Sequence, residues 1–256
     1  MEAYVSRVRQ IRPPAAGSVR EPVFNLPDII AGIAVALIGI HMIRTWLLGR
    51  YEDVEVITYF AFIPVRYALE DSSLLEPGGL LPRVWTFVTY ALLHASWLHL
   101  VVNLVWLLAF GTPVARRFGS VRFALFFAVT AAGGALAHYL SYPEGTAPLV
   151  GASGAISGTM AGAVRFMFQP GGALSGRSAR FPDHQPAGSL VEVFTDRRAL
   201  IFVAAFFGLN LLFGLGVGMP GAEEAEVAWQ AHLGGFLAGL LLFPVFDPVS
   251  RRGRPA

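Results

Sequence analysis

The sequence predicts an all-α, polytopic membrane protein, a bundle of six transmembrane helices, and three observations lead there. About 55% of the 256 residues are hydrophobic and only 14% are charged, whereas a soluble domain of this size is roughly a quarter charged. Six stretches approach the roughly 20 apolar residues that cross a bilayer as a helix. Arginine is distributed very unevenly among the connections between them, as the positive-inside rule requires of a multispanning chain. The same composition excludes a disordered chain, a nucleic-acid tail and an ordinary cytosolic enzyme. With no cysteine, disulfides, thiolate catalysis, zinc fingers and iron–sulfur clusters are excluded. A net charge of +2 is too small to imply a nucleic-acid partner. All 19 basic residues are arginine, which carries no functional signal.

Span one covers 28–48 (DIIAGIAVALIGIHMIRTWLL). It follows 27 polar, proline-containing residues without a small-residue cleavage site, so it reads as an uncleaved anchor preceded by a tail, 1–27. The connection 49–93 is long for a bundle and contains ITYFAFIPVRYAL (57–69). That run is too short to span and carries Pro64 and Arg66. It reads as an interfacial or re-entrant segment, with Trp85, Phe87 and Tyr90 near the headgroups. Spans two and three cover 94–112 and 120–140, and span four covers 151–168. Residues 169–197, rich in Gly, Pro, Ser and Arg, read as a flexible connection. Spans five and six cover 198–217 and 227–246, and 247–256 form a second tail. The membrane domain is thus 28–246. It has no internal repeat, which weighs against a transporter.

Fifteen arginines fall on one side: Arg7, Arg9, Arg12 and Arg20 before span one, Arg116, Arg117 and Arg122 around the second connection, Arg165, Arg177, Arg180, Arg197 and Arg198 around the fourth, and Arg251, Arg252 and Arg254 at the end. Only Arg50, Arg66 and Arg83 fall on the other, and Arg44 lies inside span one. Both termini are therefore expected in the cytoplasm. The six-span layout and the lack of a transit peptide point to a bacterial inner membrane.

Polar side chains inside spans are costly and mark functional sites by default. His99 and Asn103, four residues apart, share a face of span two; His94 precedes them at its start. The H-x4-H spacing with no acidic residue between is not the zinc-protease pattern. A metal site from His94, His99 and His232 is the weaker alternative, with no carboxylate in reach. In span four, GASGAISG (151–158) places Gly151, Gly154 and Gly158 around Ser153 and Ser157. It is not a G-x-S-x-G elbow, because Ala155 fills the fifth position. Taken alone, it reads as a small-residue packing face, with Gly158 and Gly162 forming G-x-x-x-G.

Length adds a second reading. A helix over 153–168 is about 24 Å long, shorter than a hydrocarbon core of about 30 Å. With its cytoplasmic end fixed at the surface by Arg165, Ser153 would sit at a helix N-terminus below the outer surface. Free backbone N–H groups and the positive end of the helix dipole converge there and can stabilise an oxyanion. Non-helical backbone at that depth requires protein or a water-filled cavity around it. On span six, His232, Gly235 and Gly239 share one face, so close approach to Gly158 and Gly162 would bring His232 to Ser153 as the base a serine hydroxyl needs. A buried histidine bonded to a carbonyl is the plainer reading of His232 alone. His41 and His138 read as interfacial, Asn210 as a helix-bridging residue and Gln230 as structural or pocket-lining. Glu223, Glu224 and Glu226 read as a solvated loop.

Together these motifs resemble the rhomboid family of intramembrane serine proteases: H-x4-H-x3-N (His94, His99, Asn103), G-A-S-G (151–154) and A-H-x-G-G-x-x-x-G (231–239), on spans two, four and six in that order. Trp85 and the Thr89-Tyr90 pair also resemble the family's outer loop. The resemblance covers about 28–246. It implies a rhomboid-like six-helix bundle and a Ser–His dyad without an acid, Ser153 as nucleophile and His232 as general base and acid. His99, Asn103 and the Ser153 N–H would form the oxyanion hole, His94 would be a hydrogen-bonding residue, and 218–227 would cap the site. Substrates would be transmembrane proteins cut in or near their spans, with lipids as the surroundings and no cofactor or metal. Two positions depart from the pattern: Thr86 where many members carry Arg, and Ser157 where some carry an aromatic that could stack on the base. Ser157 could hydrogen-bond to His232 instead. The alternatives are an inactive member that binds transmembrane clients and a small channel or transporter.

Overall fold

The structure, a computed structural model, describes residues 26–68, 81–214 and 228–249. Among them all regular structure is helical except one isolated antiparallel bridge, Phe62 with Leu149. The chain is an all-α bundle. Four helices are long and apolar enough to cross a membrane: Asp28–Leu47, Trp97–Phe118, Ser120–Ser141 and Trp229–Phe246, spans one, two, three and six. Span four is the shorter Ser153–Met167 and span five is Arg197–Gly214. Large apolar side chains such as Val35, Leu47, Leu125, Leu241 and Val245 stay exposed on the perimeter, as lipid-facing surfaces do. The acidic cluster Glu223, Glu224, Glu226 and the expected cap at 218–227 lie outside the described residues.

Span two runs six residues beyond its expected end at Thr112, to Phe118. A wide π turn over Leu107–Gly111 precedes Pro113. Such local widening lets a membrane helix absorb a residue that lacks an N–H. Gly119, at φ 75°, then links spans two and three by a single residue in a conformation other residues avoid.

Spans three, four and six form the centre. From Gly154 to Met167 every residue of span four is buried, so it is enclosed by protein on all sides. Glycine sets how closely span six approaches. A Cβ on Gly235 would overlap the Gly154 carbonyl, and one on Gly239 the Gly158 carbonyl. Of the two glycines expected to face span six, Gly158 does so, at Gly239, whereas Gly235 meets Gly154. Gly162 faces the rings of Phe243 and Phe126 at 3.3–3.4 Å, and a Cβ on Gly158 would strike Thr130 of span three. Span three also meets span four at Gly134, whose added Cβ would lie 3.4 Å from the Gly154 Cα. Span five joins span six through Phe206 and Phe207, which pack on Phe236 at ring-centroid distances of 5.5 and 5.1 Å.

The outer run 57–69 is not one element. The helix Arg50–Phe60 ends, Ala61 and Phe62 are buried, and Val65–Ala68 forms a turn of helix. Phe62, Tyr67 and Phe87 pack ring to ring. Tyr90, expected at headgroup level, is buried and donates its hydroxyl to Ala131 O at 2.9 Å. His41, expected at an interface, is buried edge-on against Trp97, the centroids 4.5 Å apart, because the start of span two covers it.

The segment 169–197 is folded rather than a loose connection. It contains a 3-10 turn, Pro182–His184, and a helix, Leu190–Thr195, opened by a Ser189/Glu192 capping box. Arg165 is not at the surface but buried, donating to Gly188 O at 2.9 Å and Leu240 O at 3.0 Å. Arg117 makes a bidentate pair with Asp247 at 2.8 and 2.9 Å and donates to Asp183 O and Gln185 O at 2.8 and 2.7 Å. Burial pushes the Asp183 carboxyl up from its ordinary range, and Arg116 beside it pulls it back down. One guanidinium thus joins spans two and six to the segment between spans four and five. Arg117→Ala leaves a buried carboxylate without its partner, so an expected loss of about 3–5 kcal/mol follows. Thermal unfolding in detergent checks it, and Arg117→Lys, lacking the planar fork, is expected to recover only part.

Candidate active site

The approach to Ser153 is held by backbone bonds. Leu149 N–H donates to Phe62 O at 2.8 Å, and Gly151 N–H donates to Tyr90 O at 3.0 Å. Gly151 then turns the chain at φ 122°, where a side chain is strained in any case and a Cβ would lie 2.7 Å from the His99 ring. Ser153 is the first residue of span four, and the first intrahelical bond is Ile156 N–H to Ala152 O. The N–H groups of Ser153, Gly154 and Ala155 therefore precede the helical ladder.

That helix start is recessed. With 15 residues, span four is about 22 Å long. Gly154 lies level with Gly134, and span three continues beyond it for seven residues to Ser141, about 10 Å further.

His232 lies in the first turn of span six. Its Nε2 is 2.7 Å from Ser153 Oγ. The Gly154–Gly235 contact one turn further along sets this spacing. The other ring nitrogen, Nδ1, meets Asn210 Oδ1 in a short contact. Asn210 Nδ2 donates to Phe206 O at 2.7 Å. Ser153 and His232 are both half-buried.

Span two supplies the opposite wall. Ser96 Oγ caps it by accepting from His99 N–H at 3.2 Å. The His99 ring lies over Gly151, beside Ser153. Asn103 is buried and donates one amide hydrogen to His99 O at 2.8 Å. His94 is buried edge-to-face with His99, centroids 5.1 Å apart, and its Nε2 faces the Ala152 N–H at a long 3.5 Å. Among the described residues no group of three or more His, Asp and Glu is placed to hold a metal ion. The His94–His99–His232 alternative therefore has no support in the geometry.

The two departures resolve differently. Thr86 donates to Pro82 O and meets the Tyr67 hydroxyl, both at 2.6 Å, while Trp85 Nε1 donates to Tyr59 O at 2.8 Å and Thr89 Oγ1 to Phe60 O at 2.8 Å. The outer segment is thus anchored without an arginine at 86. Ser157 does not reach His232; its hydroxyl donates to Ser153 O at 2.7 Å on its own helix. Gln230 donates to the Tyr142 hydroxyl at 3.3 Å. Sequence reasoning overlooked Arg44, which pairs with Asp53 at 2.7 Å and donates to His94 O at 3.0 Å, tying the outer helix to the start of span two. It also gave Asn210 no place beside His232; the only available signal was a lone amide in an apolar span.

Comparison with known proteins follows the same lines. The rhomboid domain family matches residues 81–247. RHOMBOID-like protein 1 of Arabidopsis thaliana is 30% identical over 229 residues, 85% of this chain and 51% of that protein. Rhomboid protease GluP of Bacillus subtilis is 29% identical over 175 residues, 68% of this chain and 28% of the relative. Rhomboid protease GlpG of Haemophilus influenzae is 35% identical over 97 residues, 38% and 43% of the two chains. The chain spans about half the length or less of these relatives. A matching domain over most of its length, together with several membrane-spanning apolar helices, makes this an integral membrane protein that belongs to the rhomboid family.

Proposed function

We propose that this chain is an intramembrane serine endopeptidase that hydrolyses peptide bonds in or near the transmembrane segments of membrane proteins. The observation that carries the reading is the 2.7 Å between His232 Nε2 and Ser153 Oγ at a recessed helix start. In this mechanism Nε2 takes the hydroxyl proton as Oγ bonds to the scissile carbonyl carbon. The carbonyl oxygen becomes an oxyanion, facing the Ser153 N–H, the His99 ring and the second amide hydrogen of Asn103. The imidazolium returns the proton to the departing amine as the C–N bond breaks. Water then attacks the acyl-enzyme by the same relay, giving a carboxylate and free Ser153. A helical substrate hides its carbonyls in hydrogen bonds, so the segment must unwind at the cut. His94 acts by holding the turn before Ser153. The charge asymmetry supports an orientation with both termini in the cytoplasm and the site opening toward the far side, in a lipid bilayer such as a bacterial inner membrane.

The test is cleavage of a single-span substrate in proteoliposomes, together with labelling by a fluorophosphonate probe. Wild type is expected to cleave and to be labelled, and Ser153→Ala to do neither. Equal labelling of Ser153→Ala would remove the nucleophile assignment. No labelling and no cleavage by folded wild type would favour a client-binding member.

A further inference from the structure

We infer that Asn210 of span five is the positioning residue of this site, holding His232 in the tautomer whose Nε2 accepts a proton. The inference rests on the endopeptidase reading and supplies what orients its base.

Three contacts form a chain: Phe206 O with Asn210 Nδ2 at 2.7 Å, Asn210 Oδ1 with His232 Nδ1, and His232 Nε2 with Ser153 Oγ at 2.7 Å. A backbone carbonyl only accepts, so the Asn210 group facing Phe206 O is the NH2. The flipped amide would set two acceptor oxygens against each other. The oxygen of Asn210 therefore faces the ring, and it too only accepts. Nδ1 must then carry the hydrogen, which leaves the Nε2 lone pair directed at the Ser153 hydroxyl. The polarity of one main-chain carbonyl thereby fixes the proton location on a side chain of another helix.

The registry is built into the same two spans. Phe206 lies one turn before Asn210, Phe236 lies one turn after His232, and their rings stack with centroids 5.5 Å apart. The amide–imidazole pair and the aromatic pair are thus successive rungs between spans five and six. The arrangement also accounts for Ser157. Its hydroxyl is committed to Ser153 O, so its side chain does not hold the ring, and the restraint comes from span five instead.

The experiment compares wild type, Asn210→Leu and Asn210→Asp in proteoliposomes, with kcat and KM measured separately and melting temperatures recorded. Solid-state NMR of 15N-histidine protein, the His232 signals assigned by their loss in His232→Ala, reads the tautomer without reference to activity. Wild type is expected to show a protonated Nδ1 and a bare Nε2. Asn210→Leu, similar in size but without an acceptor, is expected to mix the tautomers and lower kcat by about tenfold or more, with KM unchanged. Asn210→Asp keeps an acceptor on the ring but sets its second oxygen against Phe206 O, so it is expected to retain the Nδ1–H tautomer and to recover part of kcat. A wild-type ring protonated at Nε2, or Asn210→Leu with wild-type kcat, overturns the inference. Wild type that shows the Nδ1–H tautomer yet cleaves nothing overturns the endopeptidase reading and leaves the positioning role standing.

Discussion

His232→Ala is expected to lower peptide-bond cleavage by about 10⁴-fold or more while the variant still inserts and folds. The proposed chemistry has one base. Without it the Ser153 hydroxyl must attack with its proton in place, and the leaving amine must depart unprotonated. Among the described residues only the His232 ring is hydrogen-bonded to Ser153 Oγ. Ser157, the nearest hydroxyl on the same helix face, is engaged with Ser153 O and cannot substitute. The structural cost is small because the ring is half-buried and its bonds are to Asn210 and Ser153 rather than to the packed interior. Removing it leaves one amide oxygen without a partner, about 1–3 kcal/mol at most. Substrate cleavage in proteoliposomes and melting in detergent separate the two effects. A folded His232→Ala that keeps even a few per cent of the rate would mean that another group takes the proton.

Much of this architecture could be read from apolar runs, because a helix that must satisfy its own backbone in lipid leaves a long uninterrupted signal. The six spans and the helix start at Ser153 belong to that class. What could not be read depends on contacts between residues far apart in the chain. The Gly, Pro and Ser content of 169–197 suggests a loose connection. Its carbonyls at Asp183, Gln185 and Gly188 are nevertheless taken by Arg117 and Arg165, and two arginines that mark topology in the sequence serve as interior clamps. Span two runs past its expected end at Thr112, and no residue pattern marks the π turn over Leu107–Gly111 that lets it do so. Asn210 has only the weak signature of a lone amide in an apolar span, enough to read it as bridging helices but not to name its partner. Its meaning comes from His232, 22 residues away, and from a main-chain carbonyl on its own helix. The glycines show the same limit more finely. Small residues on spans four and six signal close packing, but glycines repeat every turn at 154, 158 and 162, and the spacing alone cannot reveal that Gly154 is the one that meets Gly235.

Gly235→Ala is expected to cut cleavage by about a hundredfold or more, with a lower melting temperature. The added Cβ would overlap the Gly154 carbonyl oxygen, a main-chain atom in a helix buried on every side. No side-chain rotation can relieve that, so spans four and six must separate by about 1 Å or more to regain ordinary contact. Gly235 is one turn from His232, and Gly154 adjoins Ser153. The separation therefore falls on the 2.7 Å hydrogen bond between them, where a misplacement of about 1 Å can cost about a hundredfold in rate. Two controls make the effect specific. At Gly162 the nearest atoms to an added Cβ are the Phe243 and Phe126 rings at 3.3 and 3.4 Å, and at Gly208 on span five nothing lies within 4 Å. Gly162→Ala is expected to stay within a few-fold of wild type, and Gly208→Ala to be neutral or slightly stabilising, since alanine favours helix over glycine by about 1 kcal/mol. If Gly235→Ala cleaved at the wild-type rate, the dyad distance could not depend on the close approach of these two spans. If Gly162→Ala were as damaging as Gly235→Ala, the contact that sets the site would lie about two turns deeper along span four, at Gly162 rather than Gly154.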